Sequence, residues 1–426
     1  MTELDSQPDP ATPRTASYEA DPADVHRVLL LYSGGLDTSV MLTWIQEQYG
    51  AEVVTLTVNL GQPGEDFGIV REKARRLGAI ESHVIDAREE FARDYVVPAI
   101  KANAIYGLGY PLFTALGRPL IAKLAVEQAR ARGCDTVAHG CTGKGNDQVR
   151  IEATIATLAP ELKVIAPVRS WRMGREEEIR YARERGIPVK GGTETVPYSI
   201  DDNLWGRSSE GRWIEELDHV PEDDVFQLVA RPEDAPDEAE VVTVEFERGV
   251  PVALDGKRLD LVELIERTGA IGGRHAIGIV DHVEDRIVGL KVRDIYEVPA
   301  ATILLLAHQE LERLVGTIHQ NQLKSMLDQR WAYLVYGGLW WEPLREDLDA
   351  YMRAANEYVT GTIGLRLYKG SARVVARESP YAVYDQQLAG FAESGGLFSQ
   401  AASPGFIELW SLQSRMAWRV RHSDDG

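Results

Sequence analysis

The stretch "LLLYSGGLDTSVMLTW", residues 29–44, joins an apolar run to an amphipathic one through Ser33-Gly34-Gly35. A short apolar run bounded by glycine reads as a buried strand, here Val28–Tyr32. Val40, Trp44 and Ile45 then fall on one helical face. Gly34 and Gly35 permit unusual φ and let a ligand approach the backbone closely. The N–H groups of the helix start are unpaired, and the helix dipole favours an anion there. Ser33, Thr38 and Ser39 add hydroxyl donors. This is a phosphate loop, but kinases and GTPases carry G-x-x-x-x-G-K-[ST] at such a turn. Here the loop is shorter and has no lysine. Losing that point charge removes a partner suited to β- and γ-phosphates. It fits a loop that holds pyrophosphate as the leaving group, with ATP cleaved between the α- and β-phosphates. Asp37 is either a first-turn carboxylate favoured by the dipole or a residue that helps to place Mg²⁺.

Outward from this stretch the chain alternates strand and helix as far as about Val189. Val53–Val58, "SHVIDA", "DTVAHG" and "LKVIAP" read as strands. Phe67–Leu77, Phe91–Ile105, Pro119–Arg132, the segment with Ile151, Ile155 and Leu158, and "REEEIRYARERGIPV" read as helices. Such alternation implies a parallel sheet covered on both faces. After about Gly192 the rhythm changes. "EAEVVTVEFERGVPVALDGKRLD" alternates like a meander with a tight turn at Asp255-Gly256. Residues 301–340 are mostly helical, and "GTIGLRLYKGSARVVARES" reads as a hairpin turning at Lys369-Gly370. "LWSLQSRMAWRVRH" reads as an amphipathic helix with Leu412, Met416 and Val420 on one side. The expected fold is α/β, a parallel-sheet nucleotide-binding domain followed by an α+β domain with a C-terminal helix. The expected divisions are a disordered tail over 1–24, a nucleotide-binding domain over 25–190, a second domain over 191–405 and an oligomerisation segment over 406–426.

Composition narrows the class. Lys plus Arg is 46 and Asp plus Glu is 66, so the net charge over 426 residues is 46 − 66 = −20. A surface of that sign repels nucleic acid and anionic membrane unless a basic patch overrides it, and no block of consecutive Lys/Arg is present. No apolar span is long enough for a transmembrane helix. The N-terminus has no basic-then-apolar signal pattern. Only two cysteines occur, which argues against a disulfide framework and for a reducing cytoplasm.

A second strand–loop–helix, "HGCTGKGNDQVR" at 139–150, carries three glycines. It adds Lys144, the donors Thr142, Asn146 and Gln148, a carboxylate at Asp147 and a guanidinium at Arg150. That set suits a substrate with both an ammonium group and carboxylates. The two loops in this order resemble the argininosuccinate synthases, members of the pyrophosphate-loop ATP family. The resemblance runs through nearly the whole chain. It includes "NLGQ" at 59–62, "YSIDDNLWGRSSE" at 198–210, "FERGVPVALDG" at 246–256, "GGRHAIGIVDHVEDRIVGLKVRDIYEVPA" at 272–300, and "LYKG" with "ARESPYAVYD" near the end.

The resemblance implies an adenine-nucleotide α-hydrolase-like first domain and a defined reaction. The ureido oxygen of citrulline attacks the α-phosphate of ATP and expels pyrophosphate; the aspartate amine then displaces AMP. By the same resemblance Leu31, Tyr32, Ser33, Gly34, Gly35, Leu36, Asp37, Thr38 and Ser39 hold ATP, with Val58 against the adenine and Gly140 in the second loop. Citrulline falls to Tyr110, Thr114, Asn146, Arg150, Ser199, Ser208, Glu284 and Tyr296. Aspartate falls to Thr142, Asn146 and Asp147. Mg²⁺ accompanies the ATP phosphates with few protein ligands, and no dedicated metal site is expected. The partners implied are these small molecules and, for assembly, a homotetramer in the cytoplasm, with no nucleic acid and no membrane. An abundance of small donors without an obvious nucleophile is what adenylyl transfer needs, since it relies on positioning and charge stabilisation.

Three departures from the family pattern stand out. Ala115 replaces a common serine, with Thr114 adjacent as a substitute citrulline contact. Asp294 stands where glycine is usual, in "KVRDIYE". Cys141 occupies a small-residue position and reads as filler rather than a nucleophile. The rival readings are weaker. A tRNA-thiolating relative needs reactive cysteines and a basic RNA face. An amidating relative brings a glutaminase domain. A nucleotide sensor has no use for Thr142, Asn146 and Arg150.

Overall fold

Five apolar runs form a parallel sheet: β1 (Arg27–Leu31), β2 (Glu52–Asn59), β3 (Glu81–Asp86), β4 (Thr136–Ala138) and β5 (Lys163–Ile165), in the order β3-β2-β1-β4-β5. The computed structural model describes residues 20–107, 109–171, 173–188, 198–389 and 399–422. Alternate residues of β1 face opposite layers. Leu29 packs with Val54, Leu56 and the Phe113–Ala131 helix, whereas Val28 and Leu30 pack with Val40, Met41 and Ile45 of α1 (Leu36–Tyr49). The sheet is therefore covered on both faces, as the strand–helix alternation implies. Strand order reverses between β1 and β4, which pair directly. In open α/β sheets ligands bind at such a switch point, beyond the carboxyl ends of the strands. The two glycine loops follow β1 and β4, so the topology sets them side by side.

Several helix boundaries differ from expectation. The Phe113–Ala131 helix starts six residues before Pro119, which lies inside it. The segment expected as a helix over Phe91–Ile105 is helical from Arg88 to Lys101, with a π-helical stretch at Phe91–Val96 and a stop before Asn103 at φ 42°. α2 (Phe67–Arg76) is capped by Asp66, whose carboxylate accepts from the N–H groups of Gly68 and Ile69. Within the expected disordered tail, residues 1–19 lie outside the described residues. Pro22–Asp24 forms a 3₁₀ turn, and the Ala20 N–H donates to the Val164 carbonyl. These last residues of the tail are thus ordered along β5, a correction to the expectation for 20–24.

The second half contains two antiparallel sheets. One has the order β10-β9-β8-β13-β14, built from β8 (Glu240–Glu247), β9 (Val250–Leu254), β10 (Lys257–Arg258), β13 (Gly361–Tyr368) and β14 (Ser371–Glu378). Val242, Val244 and Phe246 face Leu365, Ile363 and Gly361 across the β8–β13 pair, and their buried side packs on the Pro299–Val315 helix. Its two tight turns have positive φ at both central residues, Asp255 (50°) with Gly256 (73°) and Lys369 (41°) with Gly370 (87°). This is the hairpin geometry that matches strand twist. The other sheet has the order β11-β12-β7-β6, from β6 (Ser199–Asn203), β7 (Gly206–Glu210), β11 (Ile279–Asp285) and β12 (Lys291–Glu297). The expected helical run divides at Gly316 into Pro299–Val315 and Ile318–Tyr336, the second opened by a capping box of Thr317 and Gln320.

The chain divides into compact units at Tyr381/Ala382. In the second unit, Ser403–Trp410 and Leu412–His422 are helical, with Phe406, Trp410, Leu412, Met416, Trp418 and Val420 exposed. The expected division at 190/191 falls within 189–197, outside the described residues. No helix among the described residues is long and apolar enough to cross a membrane.

Candidate active site

A cavity of about 660 Å³ opens where the two glycine loops meet the four-stranded sheet. Its first wall is the phosphate loop. Gly34 has φ 79°, a conformation that side chains disfavour, and a Cβ there would lie 3.0 Å from both Val70 methyl carbons. Ser33 Oγ lies 3.1 Å from Thr38 Oγ1 and accepts from the Gly35 N–H at 3.3 Å. Leu31, Tyr32, Ser33, Gly35, Leu36, Asp37 and Thr38 line the cavity, with Val58 from β2 and Gly140 from the second loop. Ser39 is fully buried instead. Its hydroxyl donates to the Gly35 carbonyl at 2.6 Å and lies 3.0 Å from the Tyr32 hydroxyl. It braces the first helical turn rather than facing the cavity, and Gly34 likewise is not among the lining residues.

The second wall is the loop after β4. His139 accepts from the Cys141 N–H through Nδ1, so its Nε2–H donates to Glu152, 2.9 Å away. That tautomer pins the loop to the helix it opens. Desolvation pushes the Cys141 thiol well up from its ordinary value, so it stays protonated and inert. The Asn146 amide is oriented at both ends: Nδ2 donates to the Tyr336 hydroxyl at 2.8 Å, and Oδ1 accepts from the Ile287 N–H at 2.9 Å, which leaves its second N–H and a second lone pair for a ligand. Arg150, only 3% exposed, donates from Nε to the Tyr336 carbonyl (3.1 Å) and from NH1 to Asp147 (2.8 Å) and Thr114 (3.2 Å). Thr114 in turn meets the Tyr110 hydroxyl at 2.5 Å. Thr142 and Asp147 also line the cavity.

The third wall follows from sheet register. Directly opposed residues of an antiparallel pair share a face. Ser199 opposes Glu210, Asp201 opposes Ser208, Ser208 opposes Tyr296, and His282 opposes Asp294. One face therefore presents Ser199, Asp201, Ser208, Glu210, Glu284, Asp294 and Tyr296, all of which line the cavity. Glu284 accepts from both the Tyr296 hydroxyl (2.7 Å) and the Tyr336 hydroxyl (2.9 Å).

Charge is arranged in two clusters. Burial alone would raise the Asp147 carboxyl, but the guanidiniums of Arg118 and Arg150 pull it down to about 2. Arg118 bridges Asp147 (Nε, 2.8 Å) and Asp201 (NH2, 2.7 Å). Around Asp294 the balance reverses. Burial and the neighbouring Glu210 and Glu284 push its carboxyl up to about 7, against the pull of Arg286. Glu284 is held low, because hydrogen bonds from His282, Tyr296 and Tyr336 outweigh its desolvation. Arg118, Asp201, Glu210, Arg286 and Tyr336 were not singled out from sequence. Only Arg118, beside Pro119 in a segment already compared with the family pattern, left a local signal.

Asp294 carries a stability prediction. A carboxyl that titrates near 7 when folded, against an ordinary 3.8, binds its proton more tightly in the native state than in the unfolded chain. Ionising it therefore costs native stability progressively from about pH 4 to pH 7, and the full cost persists above that range. Asp294→Asn removes this cost. Its thermal midpoint rises relative to wild type by roughly 2–4 °C at pH 8, while the gap closes near pH 4. Differential scanning calorimetry at the two pH values checks this; a gap independent of pH would show that Asp294 is not the titrating group.

Comparison with known proteins gives the same picture over both halves. Residues 27–188 match the family model described as the arginosuccinate synthase N-terminal HUP domain, and residues 198–417 match the arginosuccinate synthase C-terminal domain. An argininosuccinate synthase of Rubrobacter xylanophilus is 56% identical over 93% of this chain and 96% of its own. Those of Symbiobacterium thermophilum and Pyrococcus furiosus are 50% and 48% identical, each over 93% of this chain, and over 98% and 95% of their own. Among solved structures, the U34-tRNA thiolase NcsA from Methanococcus maripaludis with its [4Fe-4S] cluster aligns over 43% of this chain and 63% of that chain. Its identity is 17% and its TM-score 0.27. With both halves matched and relatives near half-identical along almost their full length, the chain belongs to the argininosuccinate synthase family.

Proposed function

We propose that this protein joins citrulline to aspartate in arginine biosynthesis, consuming ATP and releasing pyrophosphate and AMP through a citrullyl-adenylate. The observation that carries the reading is the single cavity that brings a lysine-free phosphate loop against a wall of amino-acid-sized polar contacts. The ureido carbon of citrulline is a poor electrophile. When its oxygen attacks the α-phosphorus, a P–O bond forms, the bond to pyrophosphate breaks, and the carbon gains AMP as a leaving group. The aspartate amine then bonds to that carbon and AMP departs. The protein's share is to hold three molecules in line and to stabilise charge.

In this reading Leu31 to Ser39 form the triphosphate cradle. Within it Ser39 acts from below, by fixing the turn. Val58 and Gly140 flank the nucleotide. Arg150, with Asn146, Tyr110, Thr114, Ser199 and Ser208, takes the citrulline, whose α-ammonium faces Glu284 and Tyr296. The NH2 of Arg150 makes no hydrogen bond among the described residues, which suits a ligand carboxylate. Thr142, Asn146 and Asp147 take the aspartate. No cluster of three or more His, Cys, Asp or Glu suited to a metal occurs among the described residues. A Mg²⁺ carried by ATP phosphates needs only one or two carboxylates, and Asp37 at the cradle fits that demand. Residues 25–190 hold the nucleotide and much of the amino-acid site, 191–405 complete the synthetase site and serve assembly, and 406–426 supply the contacts of a cytoplasmic homotetramer. The exposed aromatic and aliphatic side chains of the last two helices support that assembly, and light scattering at four times the 47.3 kDa chain mass is expected.

The test is a pyrophosphate-release assay in which substrates are omitted one at a time. With all three present, pyrophosphate and AMP form in equal amounts. Without citrulline neither forms. Pyrophosphate release that is indifferent to citrulline would overturn the reading.

A further inference from the structure

The phosphate loop lacks the lysine of kinase loops, but a lysine reaches it from behind. Lys73 of α2 is buried, and its Nζ donates to the Gly34 carbonyl at 2.8 Å. That carbonyl shares a peptide unit with the Gly35 N–H. In a trans peptide the C=O and N–H point in opposite directions, so drawing the carbonyl toward α2 turns the Gly35 N–H away from α2. Gly35 lines the cavity; Lys73 does not. The peptide needs such a lock. Gly34 at φ 79° has the freedom to rotate, and a rotated peptide would aim carbonyl lone pairs at a bound anion. Among the described residues the Gly35 N–H is otherwise held only by Ser33 Oγ at 3.3 Å. α2 is also close enough to do the work: Val70, one turn before Lys73, abuts Gly34.

We propose that Lys73 is a positioning residue for the departing pyrophosphate, holding the Gly34–Gly35 peptide with its N–H directed at the β- and γ-phosphates. It differs from the lysine of a kinase loop, which touches phosphate itself. The proposal rests on the ATP-cleaving reading above and refines it.

The test compares wild type with Lys73→Met, which keeps length and loses the donor, and Lys73→Arg, which keeps a donor. In Lys73→Met the inhibition constant for pyrophosphate and the KM for ATP each rise about tenfold, the loss of one charge-assisted hydrogen bond. The Kd for AMP, which has no β- or γ-phosphate, stays within about twofold, and Lys73→Arg recovers most of the pyrophosphate affinity. Unchanged pyrophosphate inhibition overturns the proposal. So does a parallel loss of AMP and pyrophosphate affinity, which would make Lys73 a general prop for the domain. If Lys73→Met does not fold, Lys73→Gln keeps a polar group at the site but is too short to reach the Gly34 carbonyl, and the same expectations apply. Direct calorimetric titration of pyrophosphate into each protein separates this idea from its parent. Should wild type release no pyrophosphate with citrulline, the ATP-cleaving reading fails, while the titration still decides whether Lys73 governs pyrophosphate binding.

Discussion

Arg150→Ala raises the KM for citrulline by ~10²–10³-fold and leaves the KM for ATP within about twofold, because a buried guanidinium on a carboxylate contributes about 3–4 kcal/mol. The geometry explains both parts. Arg150 is positioned by the Tyr336 carbonyl, Asp147 and Thr114, and its guanidinium carbon lies 5.0 Å from the Tyr336 ring centroid. Its remaining terminal nitrogen makes no hydrogen bond among the described residues, which in the proposed arrangement leaves it for a substrate carboxylate. None of these contacts reaches the phosphate loop. Some loss of stability accompanies the change, since Asp147 keeps only Arg118 and the Tyr336 carbonyl loses a donor. Arg150→Lys separates the two effects. It keeps the charge beside Asp147 and loses the planar fork, so stability is largely kept while citrulline KM stays raised by ~10-fold or more. Steady-state pyrophosphate release with citrulline varied is the measurement. Unchanged citrulline kinetics in either variant would remove Arg150 from the substrate site.

Arg118→Ala is expected to separate the two half-reactions. Arg118 is the cation shared by Asp147 and Asp201. In the proposed arrangement, without it the carboxylates of Asp147 and Asp201 line the aspartate end of the cavity less compensated, and a substrate bearing two carboxylates is repelled. The KM for aspartate rises by ~10²-fold, the usual scale for removing one member of a buried charge pair. Asp147 loses one of the two cations that hold it low, so the acid limb of the rate profile moves to higher pH. Isotope exchange between pyrophosphate and ATP with citrulline alone stays within about threefold of wild type, because the adenylation step does not use this corner. Exchange lost together with aspartate affinity would place Arg118 in both steps and defeat the assignment.

The legible and illegible parts of the molecule divide by sequence distance. The strand–loop–helix after β1 could be read because its turn residues and hydroxyl donors, Ser33 to Ser39, are contiguous in sequence, although Lys73 and Val70, which hold Gly34 from α2, could not be. The same holds for the loop after β4, and for the tight turns at Asp255-Gly256 and Lys369-Gly370. The boundaries that shifted did so for tertiary reasons. Proline at 119 suggests a helix start, but the buried turn from Phe113 to Leu116 extends the helix upstream. The four-stranded sheet was not read as a sheet, because β12 pairs with β7 across more than 80 residues and neither strand shows that register by itself. Tyr336 was illegible for the same reason. It lies at the end of a helix with no clear apolar stripe, yet its hydroxyl meets Asn146 from 190 positions away. Glu284 and Tyr296 came from family resemblance alone. The register now gives a physical reason for their pairing, since Glu284, Asp294 and Tyr296 lie on one face of the β11–β12 pair and line the cavity together.

That alternation has an evolutionary consequence. Ile295, on the opposite face of β12, belongs to a small core with Tyr198, Ile214 and Val225, against which Ile200 packs. A change at 199, 201, 208, 210, 284, 294 or 296 alters what a ligand meets while that core and the nucleotide cradle keep their packing. Selectivity for the joined molecules can therefore drift one position at a time, without passing through an unfolded ancestor.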